Sequence, residues 1–139
     1  MKPGERFDTT TNRLVIVGGY FRHDSAFGVV NGRLEPAPIE LRPSRTYRFR
    51  LINIGDARTF FSLRRPDSSA VAWRAVAKDG ADLPPSQAVS RTERLLTGPG
   101  ETADFEFTPA EPGNFVLEID SPFAPWHIDV PVRVRAGSP

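Results

Sequence analysis

The stretch TYRFRLINI, residues 46–54, decides the fold class of this 139-residue chain. Apolar side chains occupy alternate positions and share one face of the stretch, namely Tyr47, Phe49 and Leu51. The intervening Arg48 and Arg50 share the opposite face. Because successive side chains of a β-strand point to opposite sides, this period of two predicts a half-buried strand with its arginines in water.

Short apolar runs of the same kind recur along the rest of the chain, where fourteen prolines and eleven glycines separate them. We predict further strands at Leu14–Gly19, Phe27–Val30, Thr59–Leu63, Val71–Ala77, Val89–Leu96, Thr102–Thr108, Asn114–Asp120 and Trp126–Val134. The adjacent Leu95 and Leu96 break the alternation and predict a bulge or a change of sheet. About nine strands with turns at this spacing are typical of an antiparallel sandwich or closed barrel, so the predicted fold class is all-β.

The length suits one domain with a hydrophobic core and is too short for two. We predict a single domain over residues 13–135, a flexible segment over residues 1–12 and a flexible tail over residues 136–139. The first residues contain no apolar stretch of the kind found in a secretory signal peptide. The cellular compartment is therefore left open.

The composition argues against several function classes. Eighteen basic and seventeen acidic residues nearly balance, which disfavours nucleic acid or an anionic membrane as partner, although a local basic stripe stays open. No apolar run reaches the roughly 20 residues that span a bilayer. The chain has no cysteine, and a blue-copper centre requires a cysteine thiolate.

Two histidines are the imidazole ligands that the sequence offers. His23 lies in YFRHDSAFG, a predicted exposed loop, and His127 falls on the polar face of the last strand. A metal site would need both rings within about 4–5 Å of each other, because ligands at roughly 2.0–2.1 Å share one ion. Metal binding by His23 and His127 with a carboxylate is one hypothesis that we keep.

Other motifs have plain structural interpretations. Asp79-Gly80 and Gly98-Pro99-Gly100-Glu101 predict tight turns, since neither has the spacing of a phosphate-binding loop. Glu118 and Asp120 lie two residues apart and share the outward face of a predicted strand. No spacing indicates a catalytic nucleophile, so we predict no catalytic residue.

Three segments in this order resemble the cupredoxin domains of laccase-like multicopper oxidases. They are VVNGRLEPAPIELRPSRTYRFRLINIG, WRAVAKDGADLPPSQ and GPGETADFEFTPAEPGNFVLEID, within residues 27–120. The resemblance implies a cupredoxin-like Greek-key β-sandwich or barrel of about 8–10 strands. It also implies a parent protein that oxidises substrates with copper and O2, in a family often periplasmic or secreted.

The sequence departs from the copper-binding members of that family at the ligand positions. Those members carry His-x-His in the segment that resembles FFSLR, where this chain has Ser62 and Arg64. They carry His-Cys-His after the segment that resembles PGNF, where this chain has Glu118, Ile119 and Asp120. The downstream axial methionine is missing as well. The resemblance therefore implies a domain without copper of its own, like the middle domain of a three-domain oxidase.

Such a domain would be a structural module whose partners are sister cupredoxin domains or a second copy of itself. The predicted contact surface consists of aromatic side chains, namely Phe123, Trp126 and Trp73. An alternative hypothesis uses exposed aromatic side chains to bind a carbohydrate or a peptide.

Overall fold

The alternating hydrophobic pattern forms twelve strands in a computed structural model that describes residues 11–22, 25–55, 57–92, 94–121 and 126–136, without the side chains of 19–22 and 25–27. The strands are β1 (Asn12–Arg22), β2 (Ser25–Val30), β3 (Ile39–Leu41), β4 (Tyr47–Asn53), β5 (Thr59–Arg64), β6 (Trp73–Lys78), β7 (Ala81–Asp82), β8 (Ser90–Arg91), β9 (Leu95–Thr97), β10 (Thr102–Phe107), β11 (Gly113–Ser121) and β12 (Trp126–Val134). Their arrangement confirms the all-β prediction. The predicted flexible ends fall mostly on residues 1–10 and 137–139, which lie outside the described residues.

The strands form two sheets. The larger has the order β2-β1-β4-β10-β6-β7, with β8 also pairing with β6, and the smaller has the order β3-β12-β11-β5-β9. Two pairs, β1 with β4 and β3 with β12, are parallel, so the expected purely antiparallel sandwich is corrected to mixed sheets. Both parallel pairs join strands that are distant in the chain, where a hairpin turn does not dictate the direction.

One core lies between the inward faces of the two sheets. In β4 the burial follows the alternation predicted from the sequence: Tyr47, Phe49 and Leu51 are buried, and the residues between them are only partly buried. Trp73 stacks on Phe105 with ring centroids 4.5 Å apart and packs within the same core. The opposite sheet contributes the inward side chains of β5, β11 and β12.

The segment that was predicted as one strand over Val89–Leu96 changes sheet. Its first part, β8, pairs with β6 in the larger sheet, whereas β9 pairs with β5 in the smaller sheet. This confirms the expectation drawn from the broken alternation at Leu95 and Leu96. The strand β3 was missed because prolines flank its three residues and mask the short apolar pattern.

Tight turns form at two dipeptides: Asn31-Gly32 closes the bridge between Val30 and Arg33, and Asp79-Gly80 joins β6 to β7. Asn31 and Gly32 have positive φ values of 51° and 80°, and Asp79 and Gly80 have values of 50° and 81°. Two consecutive residues of this conformation are typical of the turn that joins twisted antiparallel strands. Across the described part of the chain, no helix has the length and apolar character needed to cross a membrane.

Candidate functional site

The two segments matched to copper ligands lie side by side on the outward face of the smaller sheet. Strands β5 and β11 pair antiparallel, with Ser62 opposite Glu118 and Phe60 opposite Asp120. Ile119 points the other way, into the core, and is fully buried. The structure thus brings the aligned positions together, except that the position corresponding to the cysteine belongs to the core.

An ion pair joins the aligned positions. Arg64 Nε lies 3.6 Å from Glu118 Oε2 and donates a hydrogen bond of 3.3 Å to Ser62 Oγ. Asp120 Oδ2 lies 3.7 Å from Arg94 Nη1, and the Arg94 guanidinium lies 4.1 Å from the centre of the Phe60 ring. Carboxylates, a hydroxyl and guanidinium groups occupy this surface, and they pair with each other.

These residues do not fit the copper centre that the resemblance implies. A blue-copper site needs a cysteine thiolate and imidazole nitrogens, and the positions hold Ser62, a permanently charged Arg64 and an aliphatic Ile119. A guanidinium has no acceptor atom and repels a cation. We therefore derive no step through copper at this surface.

His127 lies beside these positions, on the neighbouring strand β12. Its Nε2 atom lies 2.7 Å from Asp129 Oδ1, and one ligand atom each from His127, Asp129 and Glu118 lie within 4.8 Å of one another. One imidazole and two carboxylates are donors that Zn²⁺ accepts. His127 and Asp129 are each about half exposed, which leaves them open to water. His23 lies outside the described residues, so the predicted pairing with His127 stays a prediction.

Two of the three aromatic residues expected at an interface, Trp73 and Trp126, lie in the core or pack against it. Trp73 is 2% exposed and belongs to the core, which corrects its assignment to a contact surface. Trp126 is partly buried, and its indole ring covers β2: a Cβ built on Gly28 would lie 2.7 Å from Trp126 Cδ2. Trp126 therefore closes one seam between the two sheets. Phe123 lies outside the described residues.

No aromatic platform for sugar is present among the residues with described side chains. Among the residues with described side chains, the large apolar ones that are exposed are all aliphatic: Leu14, Leu34, Ile54, Val89 and Leu96. Phe107 and Phe115 line a cavity of about 530 Å³ between the β5–β6 and β10–β11 loops, but Phe107 is buried. The two rings meet edge to face at 5.4 Å, which is a core arrangement.

Aliphatic side chains gather at one end of the outward face of the larger sheet. We name this surface the aliphatic patch and define it as Leu14, Ile16, Val29, Ile52 and Ile54. Leu14 is 41% exposed and Ile54 is 66% exposed, and the other three are partly buried. Gly18 has no side chain of its own, and Ile54 and Val29 both approach its position to 3.5 Å. Sequence reasoning missed this patch, although Ile52 and Ile54 continue the alternation that Arg48 and Arg50 begin.

The rest of that outward face is polar and tightly paired. Asp104 of β10 is 2% exposed, with Arg48 Nε at 2.7 Å and Arg50 Nη2 at 3.0 Å from its Oδ2 atom. Both arginines are only about one quarter exposed. The expectation that they lie in water is corrected, because both pair with one carboxylate from the neighbouring strand.

Lys78 and Glu101 connect two turns at the end of the larger sheet. Lys78 Nζ lies 2.8 Å from Glu101 Oε2, and Glu101 Oε1 accepts a hydrogen bond of 2.5 Å from the Gly98 amide. The close contact with the Lys78 ammonium is the largest of the causes that lower the pKa of Glu101 below its ordinary value of 4.5. Asp79 Oδ1 accepts a hydrogen bond of 2.8 Å from the Thr102 amide. These contacts agree with the interpretation of both motifs as structural turns.

The whole structure is similar to domains of larger copper proteins. It aligns with the blue copper oxidase from Nitrosomonas europaea at a TM-score of 0.69 and 17% identity, over 88% of this chain and 43% of that one. It aligns with the multi-copper oxidase from Pediococcus acidilactici at a TM-score of 0.65 and 11% identity, over 98% of this chain and 29% of that one. It aligns with the copper-containing nitrite reductase from Thermus scotoductus at a TM-score of 0.66 and 18% identity, over 92% of this chain and 31% of that one.

At these identities the similarity establishes the fold alone, and the chain has a cupredoxin-like fold. The fold prediction is thereby confirmed. The chain spans less than half the length of each of these three proteins. No family model matches the sequence, and no curated protein matches it.

Proposed function

We propose that this chain is a copper-free cupredoxin-like domain that packs against another domain of the same fold and has no catalytic centre of its own. The observation that carries the proposal is the ion pair between Arg64 and Glu118 where the resemblance expects copper ligands. A guanidinium stays protonated at all physiological pH values, so it disfavours a cation at that place. The fully buried Ile119 removes the thiolate position from the same surface.

A packing role is supported by the aliphatic patch. Exposed apolar surface that forms a contiguous group is typical of a protein contact site. In this chain the patch borders Arg50, which pairs with Asp104, so an apolar centre lies next to a polar rim.

The occupant that we propose for the aliphatic patch is a second cupredoxin-like domain. The three similar proteins are more than twice as long as this chain, which leaves room in each for further domains. In such a protein, the chemistry of copper and O2 would belong to the other domains. The contribution of this chain is to hold its neighbour in place through the aliphatic patch.

The contact is tested by sedimentation velocity from about 10 µM to about 1 mM protein, with a second copy of the chain as the available cupredoxin-like partner. We expect a sedimentation coefficient that rises with concentration for the wild type. Ile54→Glu should abolish the rise, because it places a charge at the most exposed side chain of the patch. The matched control Val89→Glu changes a comparably exposed side chain outside the patch and should associate like the wild type. A monomeric wild type over the whole range would contradict the proposed contact.

A second candidate function is the binding of a divalent cation by His127, Asp129 and Glu118. It is favoured by the three ligand atoms within 4.8 Å of one another. The ion pair of Glu118 with Arg64 competes with it. A zinc titration of the wild type and His127→Ala, followed by calorimetry, decides: saturable heat that the variant lacks would support it.

A further inference from the structure

A cavity of about 350 Å³ opens at the edge of the smaller sheet, where β3 pairs with β12. Segments that are distant from one another in the sequence form its walls. Its lining includes four arginines, one glutamate and one tyrosine: Arg13, Arg42, Arg45, Arg135, Glu40 and Tyr47. The residues come from β1, β3, β4, the β3–β4 turn and the segment after β12. We name this cavity the arginine pocket.

The arginine pocket concentrates positive charge in a chain that is nearly neutral overall. Four arginines and one glutamate line the pocket, whereas the whole chain carries a formal charge of only +1. Glu40 is also shared, because Arg135 Nε lies 3.7 Å and Arg133 Nη1 lies 3.8 Å from its carboxylate oxygens. The single negative charge in the lining therefore leaves an excess of positive charge.

Hydrogen bonds and a cation–π contact tie the walls of the pocket together. Tyr47 belongs to the core, and its hydroxyl accepts a hydrogen bond of 2.8 Å from the Arg42 amide. The Arg13 guanidinium lies 5.0 Å from the centre of the Tyr47 ring and donates to the Glu40 carbonyl at 3.2 Å. The turn is anchored from its other side by a hydrogen bond of 2.7 Å from the Ser44 amide to the Pro109 carbonyl. The backbone that carries the arginines is thus held in place before any ligand arrives.

Arg42 and Arg45 are both exposed at the pocket. Neither side chain forms a hydrogen bond or an ion pair with another residue that the structure describes. Their donors are therefore available to a ligand. A guanidinium presents parallel N–H groups that match two oxygens of a carboxylate or a phosphate.

We propose that the arginine pocket binds a small ligand with two or more anionic oxygens, either a phosphate or a dicarboxylate. The chemistry is shared by both, because each offers paired oxygens and a charge that the excess of arginines balances. The volume lies at the lower end of the range for small-molecule sites, so the ligand is small. The inference is independent of the packing role, since the pocket and the aliphatic patch share no residue.

The test is a ¹⁵N NMR titration of the full chain with inorganic phosphate and, separately, with succinate, at an ionic strength held constant with sodium chloride. We expect saturable shifts of the amides of Arg42, Arg45 and Tyr47 with at least one probe. The stronger of the two probes identifies the ligand as a phosphate or a carboxylate.

The double variant R42Q/R45Q should raise the dissociation constant about ten-fold or more, because each charged hydrogen bond contributes substantially to affinity. The matched control R33Q/R65Q removes the same charge from exposed arginines outside the pocket and should bind like the wild type. Equal melting temperatures establish that all three proteins are folded. Shifts that do not saturate with either probe, or equal weakening in the control, would overturn the proposal.

Discussion

Trp126, the first residue of β12, was predicted to contact a partner, and its packing against the core can be tested directly. In the structure, its indole ring lies over Gly28 of β2 and so bridges the two sheets. Replacing Gly28 with alanine would put a Cβ atom 2.7 Å from Trp126 Cδ2 and 2.8 Å from Ile128 Cδ1. Ile128 is buried and the indole is rigid, so neither neighbour yields without disturbing the core.

The expected cost follows from these contacts. Forcing an additional methyl group into a packed core typically costs about 1–3 kcal/mol. Alanine in a strand is favoured over glycine by roughly 0.5–1 kcal/mol, which offsets part of that cost. We therefore expect Gly28→Ala to lower the free energy of unfolding by roughly 1 kcal/mol, the difference between the midpoints of these two ranges. The measurement is urea denaturation followed by circular dichroism.

Gly18→Ala is the matched control on the adjacent strand. A Cβ at Gly18 meets Ile54 and Val29 at 3.5 Å, which is ordinary van der Waals contact, so Gly18→Ala should gain the roughly 0.5–1 kcal/mol by which alanine is favoured over glycine in a strand. Shortening the indole in the double variant G28A/W126V should recover part of the loss, because the methyl group then has space. If Gly28→Ala is as stable as the wild type, the indole does not cover β2. Trp126 would then return to the interface that the sequence predicts.

Two further substitutions test the polar contacts. Asp104→Asn should lower the free energy of unfolding, measured by urea denaturation, by about 1–3 kcal/mol. The reason is that Arg48 and Arg50 lose a buried anion but remain partly solvated. A change below about 0.5 kcal/mol would refute the buried pairing. Glu101→Gln tests pH dependence. Lys78 holds the pKa of Glu101 below its unfolded value, so the stabilisation is present above 4.5 and is lost as the pH falls through the folded pKa. The melting temperatures of wild type and Glu101→Gln should therefore differ near about pH 7. The difference should shrink as the pH falls below 4.5, and a difference that widens in acid would contradict the assignment.

Local sequence pattern predicts much of this fold because each strand buries one face. The alternation in β4 names the core residues Tyr47, Phe49 and Leu51 without any knowledge of the neighbours. The same pattern leaves Arg48 and Arg50 on the outer face but does not show what pairs with them. Their partner Asp104 lies more than fifty residues away and meets them only when β10 pairs with β4. Sequence therefore identifies the face, and tertiary pairing determines its electrostatics.

The candidate sites depend still more on long-range pairing. Arg13 and Arg135 are distant in sequence, and they reach the arginine pocket through the two parallel strand pairs, β1–β4 and β3–β12. No local motif signals such a meeting. By contrast, the missing cysteine and the residues at the ligand positions are visible in the sequence itself, which is why the copper-free interpretation was available before the structure.

The most direct test of a copper-free domain is metal analysis of the purified protein after loading with Cu²⁺ and exhaustive dialysis, combined with a thermal melt. We predict copper far below one equivalent per chain and an unchanged melting temperature, because Arg64, Ser62 and Ile119 occupy the expected ligand positions. Retention of one copper per chain with a raised melting temperature would contradict the prediction, since only binding to the folded state stabilises it. Loss of that copper in His127→Ala would then locate the site beside Glu118 and Asp129.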